Sequence, residues 1–322
     1  MAIKIIGTGS YLPDNIVTND FLSTLVDTND EWIQSRTGIR ERRISDGGGT
    51  AFLATRAAQA ALANANIEAE ELDHIIIATM SPDHYLPNTA CEVQAEIGAV
   101  NATCLDLSAA CSGFVYSYNT AYAYIQSGLA NTVMIIGAET LSRQVDWTDR
   151  STCVLFGDGA GAIILKKVSE EDTVYGTVTG SNGLKKDVLK CAERSLINPF
   201  VQEDRGIDYM KMEGQEVFCF AVKVVPQCIE SLLSKMNMET SQIKYFVLHQ
   251  ANKRILDSVA KRLNVDPEKF PMNLDRYGNT SAATIPILLD EMNQQGMLQD
   301  DDYIVISGFG GGLTWGATLI QW

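Results

Sequence analysis

The chain has 322 residues, with 25 Lys and Arg against 40 Asp and Glu, a formal net charge of −15. That excess of acid excludes a general nucleic-acid binder, because neutralising phosphates requires a basic footprint. With 46% hydrophobic and 20% charged residues, the chain can build a sizeable core and is not expected to be disordered. At about 150 residues per domain the length fits two units.

The opening MAIKIIGTGSYLP has no basic stretch followed by a long apolar run, and no uninterrupted run of about 18 apolar residues occurs further on. No membrane span is expected, and the expected location is cytoplasmic. Seven cysteines lie at 91, 104, 111, 153, 191, 219 and 228, none spaced C-x-x-C, and there are only three histidines. Zinc or another metal is therefore not expected, and a reduced compartment is.

In chain order the pattern predicts a strand over 3–6, a helix over 50–64 and strands over 74–78 and 103–107. A helix over 112–126 and strands over 133–137 and 162–165 complete the first half. The second half reads as a helix over 216–236, a strand over 245–248, helices over 253–263 and 284–295, and strands over 303–307 and 317–320. Strands interleaved with helices argue for an α/β fold with a largely parallel sheet. The halves echo one another: VMIIGAET with LFGDGAGAIILKK in the first, YIVISGF with GGGLTWGATLIQW in the second. The polar stretch KKVSEEDT, with the join expected over 167–173, divides the chain into 1–170 and 171–322. Residues 180–208 show no period and read as an irregular excursion over a site.

Three glycine-rich pieces invite a nucleotide reading. Gly7 and Gly9 follow a strand, but Leu12 stands where the third glycine of G-x-G-x-x-G belongs. The pieces at Gly157–Gly161 and Gly310–Gly312 lead into strands. A phosphate cradle needs glycine opening onto a helix N-terminus, so tight turns and close backbone approach explain all three better.

Cys111, in LDLSAACSGF, lies where a strand turns into a helix, because Phe114, Val115, Tyr118, Tyr122 and Ile125 fall at helical spacing after it. Unpaired N–H groups and the helix dipole there favour a thiolate, and small neighbours leave room for a substrate. The other six cysteines read as core residues. Of the histidines, His74 opens an apolar run, His84 sits in a loop, and His249 ends a strand, where sites form in α/β sheets. Asn279, in RYGNTS, reads locally as a turn or helix-cap residue.

SAACSGF at Cys111, HQANKR at His249, YGNTSAA at Asn279 and SGFGGGLTWGA near the C-terminus together resemble the thiolase-fold condensing enzymes. Of these the sequence is most similar to the β-ketoacyl-acyl carrier protein synthase III family, from IIGTGSYLP and TNDEWIQSRTGIRERR to the last strand. The resemblance implies duplicated βαβαβαββ halves in an α/β/α/β/α sandwich. It also implies that a short acyl-CoA primer acylates Cys111 and that malonyl-acyl carrier protein then loses CO2 and condenses with it. His249 and Asn279 take the role of donors to the enolate oxygen, and the backbone N–H groups of Cys111 and Gly311 form the oxyanion hole. Chemistry supports those donors independently: decarboxylation makes the carbanion without a base, and an amide donates hydrogen bonds but does not titrate.

Coenzyme A binding is carried over to Thr28, Trp32, Arg36, Arg150, Gly214, Phe218 and Asn252. Leu86 is carried over as the residue that closes the primer pocket from a partner subunit. Acyl carrier protein docking is carried over to Gln250, Ala251, Asn252, Lys253, Arg254, Lys261 and Arg262, on a helix that buries Ile255, Val259 and Leu263. The resemblance implies a homodimer with no permanently bound cofactor, in type II fatty acid synthesis. A related condensing enzyme of polyketide metabolism shares the triad, and a Cys-His-Asn hydrolase shares its chain order. A thiolase would want a second cysteine, a hydroxymethylglutaryl-type synthase a glutamate, and a mere binding module would leave Cys111 unreactive.

Overall fold

The computed structural model of the chain describes residues 2–169, 173–191, 195–203 and 208–322. The first half opens with β1 (Ala2–Tyr11) and a small hairpin, β2 (Ile16–Thr18) with β3 (Glu41–Arg43), which encloses α1 (Asn19–Leu22) and α2 (Asp30–Thr37). Then come α3 (Thr50–Ala65), β4 (His74–Ala78), α4 (Thr89–Ile97), β5 (Thr103–Leu107), α5 (Gly113–Gln126), β6 (Thr132–Thr140) and β7 (Asp158–Val168). The second half opens with β8 (Tyr175–Ser181). Four short strands follow: β9 (Leu189–Lys190), β10 (Leu196–Asn198), β11 (Val201–Glu203) and β12 (Lys211–Met212). It continues with α6 (Gly214–Met236), β13 (Tyr245–Leu248), α7 (Lys253–Leu263), α8 (Leu274–Tyr277), α9 (Thr284–Gln294), β14 (Tyr303–Gly310) and β15 (Thr314–Gln321). Part of the expected join over 167–173, the boundary at 170/171 and part of the 180–208 excursion fall outside the described residues.

Two sheets organise these elements, one in the order β1-β7-β6-β4-β5 and the other β13-β14-β15-β8. They are mixed, which corrects the expectation of a largely parallel sheet: β6/β4, β4/β5 and β13/β14 run parallel, whereas the other four pairs run antiparallel. The reason is connectivity. A parallel neighbour needs a crossover, and no α-helix separates β6 from β7 or β14 from β15. The first glycine-rich piece lies in the middle of β1, which runs on to Tyr11 with no helix after it.

Helices α5 and α9 form the central layer. Phe114, Val115, Tyr118 and Tyr122 of α5 and Ile285, Leu288, Leu289 and Met292 of α9 share one core with Ile76, Val133, Ile135 and Ile163 of the first sheet. Val247, Ile304, Ile306 and Ile320 of the second sheet complete it. The outer face of the first sheet is covered by α3 and α4, that of the second by α6 and α7. Helix α6 is long and apolar enough to cross a membrane, yet it lays Ala221, Val225, Ile229 and Leu232 on the second sheet. The layers are those of the α/β/α/β/α sandwich.

Among the described residues the second sheet has four strands against five in the first. In the stretch after α7, Phe270 stacks on Phe246 at 5.0 Å and Pro271 follows. A proline has no N–H to give a ladder.

Gly137 of β6 faces the turn that precedes α9, and a Cβ there would lie 2.3 Å from the Ala282 carbonyl oxygen. Gly137→Ala must push that turn off the sheet. A loss of about 1–3 kcal/mol in urea unfolding is expected, and an unchanged midpoint would show that the turn yields freely.

Candidate functional site

Cys111 sits in a tight turn, Ala110–Ser112, between β5 and α5, with Ala110 at φ 46°. Strand β14 passes directly over it, so that a Cβ on Gly310 would lie 2.7 Å from the Cys111 nitrogen. His249 follows β13 and is anchored by its own N–H on the Ser307 carbonyl at 2.8 Å. Asn279 is held against the 155–157 strip: its N–H donates to Leu155 O at 2.9 Å, and its carbonyl accepts from Gly157 N–H at 3.1 Å. All three side chains line one cavity of about 90 Å³, together with Gly214, Phe218, Asn252 and Phe309. A larger cavity of about 590 Å³ also reaches Cys111, lined by Tyr85, Asn88, Gln144, Ser281 and Gly311 among others.

Each polar end within the site has a defined duty. Asn279 Oδ1 accepts from Ser281 N–H at 2.8 Å, which leaves its NH2 as the free end. His249 Nδ1 lies 2.7 Å from the Thr284 hydroxyl, which also lies 2.9 Å from the Ser281 carbonyl. That hydroxyl has one proton. Given to Ser281 O, it leaves His249 protonated on Nδ1 and bare on Nε2; given to His249, it makes Nε2–H a donor. Burial lowers His249 to about 3, so the ring is neutral at rest.

Cys111 corrects one expectation. Burial, with the Glu139 carboxyl nearby, pushes its thiol up to about 12, although the Ser281 hydroxyl and its own N–H pull the other way. Helix α5 begins only at Gly113 and Cys111 is 7% exposed, so desolvation outweighs the dipole. The resting group is a thiol.

The carried-over coenzyme A residues cluster, but at two places. Trp32 on α2 has the guanidinium groups of Arg36 and Arg150 at 5.1 and 5.3 Å from its ring centre, and the buried hydroxyl of Thr28 has no partner among the described residues. Gly214 and Phe218 belong to the triad cavity. Asn252 joins the two places: it lines that cavity, caps α7 through Arg254 N–H and donates to Arg36 O at 3.0 Å.

The docking residues divide. Lys253, Arg254, Lys261 and Arg262 are exposed on α7, over the buried stripe of Ile255, Val259 and Leu263. Lys253 is paired with Asp257 at 2.8 Å, Arg254 lies over the Phe218 ring at 5.5 Å, and Arg262 donates to Val222 O. Gln250 is a correction. It is buried, donates to Leu248 O and accepts from Asn273 N–H, so it faces the interior rather than a partner. Ala251 is half-buried on the cavity wall. Leu86 is 87% exposed and lines neither cavity, whereas its neighbour Tyr85 does.

Sequence reasoning missed Glu139, Ser281, Thr284 and Arg42. Glu139 is fully buried, and burial raises it to about 7 despite hydrogen bonds from Ser81, Met80 and Thr79. Arg42, also fully buried, donates to Val17 O, Asn19 Oδ1 and Val154 O, which fastens the N-terminal hairpin to the segment that registers Asn279.

The chain matches the family described as 3-oxoacyl-[acyl-carrier-protein (ACP)] synthase III over residues 105–183 and its C-terminal counterpart over residues 233–322. It is 54% identical over 322 residues to a β-ketoacyl-[acyl-carrier-protein] synthase III of Clostridium botulinum (strain Okra / Type B1), covering 99% of this chain and 98% of that one. A Clostridium acetobutylicum protein of the same name is 49% identical over 323 residues, covering 100% of this chain and 99% of that one. Among solved structures, a 3-oxoacyl-[acyl-carrier-protein] synthase III from Aquifex aeolicus VF5 superposes with a TM-score of 0.93 at 43% identity, covering 100% of both chains.

Two buried groups give opposite pH slopes. The stabilisation that protonated Glu139 contributes is complete below its ordinary 4.5 and lost as pH rises through about 7. The stabilisation that neutral His249 contributes is complete above its ordinary 6.5 and lost as pH falls through about 3. Between 4.5 and 6.5 the two oppose. In Glu139→Gln only the rising slope remains, so the wild type should lose about 3 kcal/mol relative to the variant from pH 4.5 to 7 in urea titrations. A constant difference across that window would mean Glu139 titrates normally.

Proposed function

Since the chain belongs to the β-ketoacyl-acyl carrier protein synthase III family, we propose that it carries out the initiating condensation of fatty acid synthesis through Cys111, His249 and Asn279. Cys111 sulfur attacks the carbonyl of a short acyl-CoA, the C–S bond to coenzyme A breaks, and free CoA leaves. Malonyl-acyl carrier protein then enters, and the electrons of its C–CO2⁻ bond pass into a thioester enolate as CO2 departs. The enolate carbon attacks the acyl group on Cys111 and releases β-ketoacyl-acyl carrier protein. The half over 1–170 supplies the nucleophile; the half over 171–322 supplies the two donors.

The observation that carries this reading is the common cavity of Cys111, His249 and Asn279, with a free amide NH2 at one donor and a switchable ring N–H at the other. Both donors are neutral, so each stabilises the enolate oxygen without protonating it outright. Backbone N–H groups of Cys111 and Gly311 receive the oxyanion of acyl transfer. Trp32, Arg36, Arg150 and Thr28 hold the nucleotide end of coenzyme A, while Gly214, Phe218 and Asn252 line the arm that reaches Cys111. No group needs to stay bound between turnovers.

Acyl carrier protein docks on α7 at Lys253, Arg254, Lys261 and Arg262. A second copy of the chain closes the larger cavity: Tyr85, 69% exposed, stands at its wall, and Leu86, 87% exposed beside it, is presented outward to such a copy. Soluble acyl-CoA and carrier-protein substrates, with seven free cysteines, fit a cytoplasmic homodimer.

Incubation with acetyl-CoA, butyryl-CoA or isobutyryl-CoA should add one acyl group, mapped by mass spectrometry to Cys111 and lost in Cys111→Ala. Label on Cys104 or Cys153 would overturn the assignment. Asn279→Ala should slow malonyl decarboxylation by about 100- to 1000-fold while acylation suffers less; equal losses would contradict the division of labour. Arg254→Glu should raise KM for malonyl-acyl carrier protein several-fold at low salt and flatten its salt dependence, because docking charges are screened. Unaltered carrier-protein kinetics would move the docking site elsewhere.

A further inference from the structure

Glu139, near the end of β6, is an acid with no solvent contact and no use in the chemistry described so far. Donors hold its carboxylate on one side: the Ser81 hydroxyl at 2.5 Å, Met80 N–H at 3.1 Å and the Thr79 hydroxyl at 3.2 Å. On another side lies the turn that carries Ser281: Gly137, two residues before Glu139 on the same face of β6, meets the Ala282 carbonyl, and Ser281 shares the wall of the larger cavity with Cys111. From there its hydroxyl eases the ionisation of both Glu139 and Cys111. That hydroxyl is buried in the wall of the larger cavity and makes no aligned hydrogen bond among the described residues. A hydroxyl is donor and acceptor at once, so it can take a proton on one side while releasing one on the other.

We propose that Glu139 receives the Cys111 proton during acylation, through the Ser281 hydroxyl. This rests on the reading of Cys111 as the acylated nucleophile. As sulfur attacks the acyl-CoA carbonyl, the S–H bond breaks toward Ser281 Oγ, and the Ser281 O–H proton passes to the Glu139 carboxylate. When the tetrahedral adduct collapses, the proton returns by the same route to the departing CoA sulfur. Glu139 never touches the substrate; it acts on Cys111 through Ser281.

His249 is the weaker acceptor. Burial keeps its ring neutral down to about pH 3, so a proton placed there is held loosely, whereas Glu139, at about 7, is poised for exchange at neutral pH. Among the described residues, the titratable groups that face Glu139 are two thiols, Cys111 from the turn before α5 and Cys191 from the segment after β9. Burial raises both, to about 12 and about 11, so neither changes charge across the range where Glu139 does.

The test separates the half-reactions from pH 5 to 9, with acetyl-CoA, butyryl-CoA and isobutyryl-CoA as acyl donors and malonyl-acyl carrier protein for decarboxylation. Wild-type acylation should rise with pH through a midpoint near 7 as Glu139 ionises. Glu139→Gln should slow acylation by about 10²- to 10⁴-fold and lose that midpoint, and Glu139→Asp should restore the midpoint at a reduced rate. Ser281→Ala leaves the other three donors to Glu139 in place and should repeat the loss. Decarboxylation by both Glu139→Gln and Ser281→Ala should stay within a few-fold of wild type. Wild-type acylation rates and pH profiles in both variants would overturn the relay. So would equal damage to both half-reactions, the mark of a merely structural group. Wild-type protein that accepts none of the three acyl groups would instead sink the nucleophile assignment itself, and the relay with it.

Discussion

Ser281 adopts a left-handed backbone, φ 49°, in the turn between Asn279 and α9, and each of its polar groups addresses a different member of the site. Its N–H fixes the Asn279 amide, its carbonyl takes the Thr284 hydroxyl that also meets His249, and its own hydroxyl lies beside Cys111 and Glu139. A β-carbon in this region is strained. The turn keeps that geometry because Gly137 beneath it leaves no room to relax and α9 behind it is buried almost throughout. The site is registered by one turn, and the turn by the packing of two sheets.

The energetic pattern at that turn is uniform. Cys111, His249 and Glu139 are each shifted toward the neutral form by burial, so the resting site holds little charge. Decarboxylation and acyl transfer then create negative charge briefly in a place that water does not reach freely. Donors aimed beforehand are worth more there than in solvent, since nothing has to reorganise. The same burial explains why a thiol at the foot of α5 is not a resting thiolate: the helix dipole falls off within a turn, and desolvation acts on the whole charge.

Much of this is legible in the sequence. Cys111 shows itself because small residues separate a strand from a helical stripe, and His249 because it closes an apolar strand. The stripe Ile255, Val259, Leu263 gives the buried side of α7 correctly. Less legible are features set by contacts between distant segments. Glu139 ends an apolar run, and nothing in GAET reveals that the 79–81 loop supplies its donors. Gln250 sits among exposed-looking polar residues, but its amide is taken by Leu248 and Asn273. Helix α4 was too short to show a clear stripe, although Asn88 caps it through Cys91 N–H. The strand directions escaped a reading based on alternation alone, because direction depends on whether a helix intervenes.

The central layer has a consequence for how such a chain holds together. One of its helices, α5, comes from the first half, and the other, α9, from the second, and their side chains mingle with strands of both sheets in one core. Neither half can cover its own inner face. Although the halves echo one another in sequence, each is an incomplete solvent shield, and separating them would expose Phe114, Tyr118, Leu288 and Leu289 together. The echo in the sequence has a period of half the chain, while the core it builds draws on both halves at once.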